Sequence, residues 1–140
     1  MRILYTAEAL ASGDGRNGHA RSTDGKIDVD LSAPKEMGGD GTGTNPEQLF
    51  AAGYAACFHS ALRLVGKQAE ANIDDSAVGA KVGIGANSAG GFGLAVTLEV
   101  SLPHLSRADA QALADKAHQV CPYSNATRGN IDVQVLVADD

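Results

Sequence analysis

The stretch TNPEQLFAAGYAACFHSALRLVG, Thr44 to Gly66, constrains the fold more than any other part of the chain. Asn45 suits a helix N-cap, Pro46 the first helical position, and Gln48 stands three residues after the cap, where a capping-box partner belongs. From Leu49 to Val65 apolar residues fall on almost every side of the predicted helix. Such a helix has to be enclosed by other elements or by a second subunit. Among its alanines stands one thiol, Cys57.

What can enclose it follows from the rest of the chain. At 140 residues the sequence suits a single domain, residues 1–140, and a domain of that size buries roughly two-thirds of its unfolded surface. With three Phe, three Tyr and no Trp, the core must come from Ala, Val, Leu and Ile on closely approaching elements. The net charge of −6 and the lack of a Lys/Arg cluster argue against nucleic acid as a partner. The opening MRILYTAEALASG lacks the apolar core of a secretory leader, and no run approaches the eighteen or so apolar residues of a membrane span. The expectation is a soluble cytoplasmic protein, and its two cysteines, Cys57 and Cys121, are too few for a disulfide scaffold.

Alternation predicts strands in RILYTAEALA and in KIDVDLSAP, the latter through Ile27, Val29 and Leu31. The Gly-, Asn- and Asp-rich segment between them reads as turns and carries Arg16 and Arg21. Two further strands, Ala77 to Ala86 and Phe92 to Leu102, flank an Asn-Ser-Ala-Gly-Gly turn. Ser106 then caps a second helix, with Asp109 in the capping-box position, and the helix ends near Cys121-Pro122 because a residue before proline avoids helical geometry. A last strand, IDVQVLVAD, places Ile131, Val133, Val135 and Val137 on one face. No internal repeat or linker interrupts the order, which predicts an α+β domain.

Several residues could carry chemistry. Cys57 reads either as a small core hydrophobe or as a nucleophile. Burial among alanines would suppress its reactivity unless Arg16 or Arg21 brings a positive charge. Cys121 could pack under the last strand, or it could lie beside the N–H groups of a new helical turn opened by Pro122, which favour a thiolate. Cys57, His59, His118 and Cys121 form a conceivable zinc set, but Cys-x-His on a helix directs its ligands about 200° apart. GDGRNG and GGDGTG lack the Walker ending and read as loop glycines. His19 and His104 lie in turn-like sequence and read as solvated. Glu47 suits the helix dipole, or could hold an arginine. It precedes Cys57 by ten residues, roughly 15 Å of helix, which argues against direct contact within one chain.

TNPEQLFAAGYAACFHSAL and VCPYSNATRGNIDV together resemble the organic hydroperoxide resistance (Ohr) branch of the Ohr/OsmC family, and the likeness runs through GRNGHARSTDGKIDVDLSAPKEMGG to cover essentially the whole chain. The resemblance implies antiparallel sheets packed around two central helices in an intertwined homodimer with two interface sites. It implies a thiol peroxidase that reduces organic hydroperoxides, such as alkyl and fatty-acid hydroperoxides, to alcohols. No cofactor or metal is implied; dihydrolipoyl groups of a lipoylated partner, or dihydrolipoamide, act as external reductant. By motif, Cys57 corresponds to the peroxidatic cysteine, Cys121 to the resolving cysteine, Arg16 to the thiolate-activating arginine with Arg21 as fallback, and Glu47 to the carboxylate that holds it. The axial gap and the all-round burial expected of the helix lead us to expect Arg16 and Glu47 to reach Cys57 from the partner subunit. The competing readings are an OsmC-type peroxidase, a zinc-stabilised domain and a module that binds hydrophobic ligands.

Overall fold

A computed structural model describes residues 1–138, which divide into two compact units, Met1–Leu49 and Phe50–Asp140. The first unit holds an antiparallel sheet of three short strands in the order β1 (Ala9–Ser12), β2 (His19–Ser22), β3 (Asp28–Asp30). Strand pairing therefore begins later than alternation predicts. Residues 2–8 form no strand among the described residues, and Ile3, Leu4 and Tyr5 are exposed. Leu31 leaves β3 to bridge Thr44, just before the first helix.

The loop between β1 and β2 makes a single 3-10 turn, Gly15–Asn17. Its glycines serve geometry, as the sequence suggests. Gly15 adopts φ +60°, which L side chains rarely tolerate, and a Cβ on Gly18 would lie 2.2 Å from the Ser12 carbonyl oxygen. Between β2 and β3 the turn is closed by Asp24, which accepts from Ser22 Oγ at 2.7 Å and from the Lys26 N–H at 3.0 Å.

Helix α1 (Pro46–Gln68) starts where its cap predicts: Asn45 Oδ1 accepts the Gln48 N–H at 2.8 Å. Gln48 does not complete a capping box, because its side chain turns to Thr44 Oγ1 at 2.7 Å. α1 is 23 residues long and mildly apolar on average, a length and composition that the core helix of a soluble protein shares with a membrane span. Alanine and glycine keep its average mildly apolar without forming one long greasy run. Tyr54, Phe58, Leu62 and Val65 on this helix are buried in the core of the second unit. Leu49, Ala52, Ala56, Ser60 and Leu64 remain exposed, so the enclosure expected for α1 is partial in a single chain.

The second unit continues with a hairpin of β4 (Ala77–Ala86) and β5 (Phe92–Ser101), then α2 (Arg107–Val120), α3 (Pro122–Thr127) and β6 (Asp132–Val137). β4 and β5 are antiparallel, as expected, while β6 pairs with β5 in parallel. A parallel neighbour requires a crossover of a dozen or more residues, and α2 with α3 supplies it. β5 is the central strand and sends Val96, Leu98 and Val100 into the core, where Leu113, Ala114 and Ala117 of α2 meet them. Full burial of a side chain such as Leu62 or Leu98 stabilises by roughly 2 kcal/mol. Alanines and Gly66 then set how closely the elements approach: a Cβ on Gly66 would lie 2.4 Å from Ile73 Cγ2.

In the first unit His19 is not simply solvated. Nδ1 lies 2.8 Å from Asp30 Oδ1 and Nε2 lies 2.5 Å from Asp28 Oδ1. Two carboxylate acceptors require both ring nitrogens to donate, which is the imidazolium form. The bonds to Asp30 and then Asp28 hold the His19 pKa above its ordinary value. A raised folded-state pKa stabilises below the unfolded value near 6.5 and loses that contribution as pH rises through the folded value. His19→Gln should therefore melt below the parent protein at pH 6 and level with it at pH 9; a pH-independent difference in thermal melting would contradict this.

Candidate active site

Cys57 lies in the middle of α1 and is partly accessible, whereas Cys121 is fully buried. Their sulfurs are 3.6 Å apart, and both are free. Spacing in the chain could not establish this meeting of residues 64 apart. It arises because α2 ends at Cys121, whose extended ψ of 123° lets Pro122 begin α3 in a new direction. At 3.6 Å the sulfurs stand beyond the roughly 2.05 Å of a disulfide but inside contact range.

Burial is the main influence on the Cys57 thiol and pushes its pKa up. The Tyr123 backbone N–H, at the start of α3, acts the other way by favouring the thiolate, and the Cys121 contact adds to the rise. One N–H of the new turn, that of Tyr123, thus serves Cys57, whereas the sequence reading associated such groups with Cys121. A thiol raised by burial is a poor nucleophile until a positive charge is brought to it.

Around the sulfurs, Phe50, Tyr54 and Tyr123 form a triangle of rings with centroids 5.7 to 5.9 Å apart. Gly53 gives the Tyr123 ring room to lie against α1, since a Cβ there would stand 3.3 Å from Tyr123 Oη. Beneath it runs a buried polar network that sequence reasoning missed. Tyr54 Oη lies 2.8 Å from Ser124 Oγ and 3.1 Å from Thr127 Oγ1, and Ser124 Oγ lies 2.8 Å from His118 Nδ1. The signal available in the sequence was the cluster of hydroxyls after Cys121-Pro122. Burial, then the nearby Arg128 charge, lowers the His118 pKa and keeps the imidazole neutral.

The zinc set is dispersed among other partners. His59 Nε2 meets Ser76 Oγ at 2.9 Å, and His118 meets Ser124. Among the described residues no three His, Cys, Asp or Glu side chains converge as metal ligands.

In the first unit Arg16 Nη1 straddles the Glu47 carboxylate, 2.7 Å from Oε1 and 3.2 Å from Oε2. Glu47 is the better shielded partner, at 14% exposure against 37% for Arg16. One guanidinium nitrogen makes both contacts, so the rest of that planar donor fork lies outside them. Arg21, the fallback, projects from β2 toward Asp28 at 3.8 Å, so Arg16 is the arginine that Glu47 holds.

Comparison with known proteins identifies the family. A family model described as OsmC-like protein matches residues 39–136. An organic hydroperoxide resistance protein of Xanthomonas axonopodis pv. citri is 53% identical over 139 residues, spanning 98% of this chain and 96% of the relative. Organic hydroperoxide resistance protein OhrB of Bacillus subtilis is 49% identical over 132 residues, spanning 94% of this chain and 96% of the relative. The crystal structure of an organic hydroperoxide resistance protein from Elizabethkingia anophelis superposes with a TM-score of 0.94 at 52% identity, covering 100% of both chains. A putative organic hydroperoxide resistance protein from Vibrio cholerae, solved with captopril in one of its active sites, gives 0.91 at 51% identity over 98% of this chain and 94% of its own. The chain therefore belongs to the OsmC-like family, among the organic hydroperoxide resistance proteins.

Proposed function

We propose that this protein is a cysteine peroxidase that reduces organic hydroperoxides to alcohols. The observation that carries the reading is the sulfur pair: a partly accessible Cys57 with a buried Cys121 3.6 Å behind it. The Cys57 thiolate attacks the distal peroxide oxygen, the alcohol leaves, and Cys57 becomes a sulfenic acid. Cys121 condenses with it to a disulfide, and dihydrolipoyl groups of a lipoylated partner return both thiols. Phe50 and Tyr123 offer an apolar surface for an alkyl or acyl tail, which favours organic peroxides over hydrogen peroxide.

Arg16, steadied by Glu47, is the proposed source of the positive charge that this partly buried thiol needs. It would favour the thiolate and stabilise charge developing on the departing oxygen. A working homodimer is part of the proposal. Its support is the unpaired, exposed apolar segment around Ile3, Leu4 and Tyr5, together with the uncovered face of α1 at Leu49, Ala52 and Ala56. In that dimer Arg16 and Glu47 serve Cys57 of the other subunit. The reducing cytoplasm is the compartment in which the cycle would run.

Three measurements test this reading. One equivalent of an alkyl hydroperoxide should remove both thiols from reduced protein, lower its intact mass by two hydrogens and leave no crosslink between subunits; two untouched thiols would overturn the reading. Glu47→Ala should slow peroxide reduction by roughly tenfold or more, with thermal stability little changed, because it frees the guanidinium from its charge-assisted anchor. Unchanged turnover would remove Glu47 from the mechanism. Mixed dimers of Arg16→Ala and Cys57→Ser subunits should regain activity that neither variant has alone, whereas an inactive mixture would put all groups on one chain.

A further inference from the structure

Tyr54 and Cys57 lie three residues apart on α1, and Cys121 and Ser124 lie three residues apart at the start of α3. Their contacts pair in opposite senses along the chain. Cys57 meets Cys121 at 3.6 Å, and Tyr54 Oη meets Ser124 Oγ at 2.8 Å. These are two rungs of one antiparallel register, about 4.5 Å apart along α1 at 1.5 Å per residue.

The hydroxyl rung is anchored on every side. Tyr54 Oη also meets Thr127 Oγ1, one turn further along α3, and Ser124 Oγ also meets His118 Nδ1 in the last turn of α2. Its donors run in one direction. Thr127 Oγ1 donates to the Ser124 carbonyl at 3.3 Å, and a hydroxyl has one proton to give. Tyr54 accordingly donates to Thr127, Ser124 donates to Tyr54, and neutral His118 donates through Nδ1–H. Tyr54 and Ser124 are fully buried, so neither side chain can touch a bound peroxide.

We propose that Tyr54 is a positioning residue for disulfide formation, its hydroxyl holding α3 in the register that keeps Cys121 against Cys57. The inference rests on the peroxidase reading above. In the step concerned, the Cys121 sulfur attacks the sulfur of the Cys57 sulfenic acid. An S–S bond forms, the S–O bond breaks, and the hydroxyl leaves as water with the Cys121 proton. The sulfurs must close from 3.6 Å to about 2.05 Å. A slip of α3 by a single residue, about 1.5 Å, would be as large as that whole movement. Attack on the peroxide needs the Cys57 sulfur and a positive charge beside it; it draws on α3 only through the Tyr123 N–H and not on the position of the Cys121 sulfur, so it depends less on this register.

Tyr54→Phe keeps the ring and deletes the rung; Ser124→Ala deletes it from the other side should the first variant fold poorly. Both would be mixed with an alkyl hydroperoxide in single turnover, with intact mass and a dimedone-type sulfenic-acid trap as readouts. Peroxide should be consumed within about twofold of the parent rate, while disulfide formation slows about tenfold, on the scale of a lost buried hydrogen bond. Trapped sulfenic acid should rise, and sulfinic acid should form at lower peroxide. A merely structural role would slow both steps together, and that result, or disulfide formation at the parent rate, overturns the proposal. Parent protein that forms no disulfide would instead overturn the peroxidase reading, and this inference with it.

Discussion

The sulfur contact between Cys57 and Cys121 depends on how α1 and α3 are aligned, and buried hydroxyl bonds join the two helices beside it as well as apolar packing. Hydrophobic burial of Tyr54, Phe58 and Leu62 brings α1 into the core of the second unit. Burial is nondirectional and does not by itself select one pairing of polar groups. The bonds from Tyr54 to Ser124 and Thr127 are directional and lie in a water-excluded interior, where an unmade partner costs about 1–3 kcal/mol. No buried side-chain polar atom among the described residues lacks a hydrogen-bond partner. A register slip would break that state.

The same burial that aligns the sulfurs works against their chemistry. An apolar surround pushes the Cys57 thiol up, each pKa unit being about 1.4 kcal/mol of preference for the protonated form. The Tyr123 N–H offsets part of this, and a full positive charge is the stronger remedy. In the proposed mechanism Arg16 supplies that charge: Glu47 holds it through one nitrogen, ordering a long side chain while the remaining donors lie outside the contact. A carboxylate bonded to the whole fork would order the arginine more firmly and neutralise it more completely.

Much of the local structure could be read from residue types. Asn45-Pro46 and Ser106 start α1 and α2 as caps do, because a side-chain oxygen three residues upstream meets an otherwise orphan N–H. Asn87 closes the β4–β5 hairpin by accepting from the N–H groups of Ala89 and Gly91, and alternation marks β5 and β6 because each has one face on the core. Legibility failed where the cause was not local. Residues 2–8 have the alternation of a strand but pair with none of the described strands, and β6 joined β5 in parallel because two helices carry the chain across. His19 looked solvated until the register set Asp28 and Asp30 beside it.

At the site the division is similar. Sequence alone determined which chemistry was available, two thiols on separate helices, an arginine in a glycine-rich loop and a carboxylate in a helix's first turn, and the motifs around them indicated the family. Tertiary structure alone decided that Arg16 rather than Arg21 meets Glu47, that the Tyr123 N–H serves Cys57, and that Cys57 and Cys121, 64 positions apart, touch. The reason is physical: capping, turn geometry and alternation act within a few residues, whereas a contact of a few ångströms between distant side chains depends on how whole helices pack.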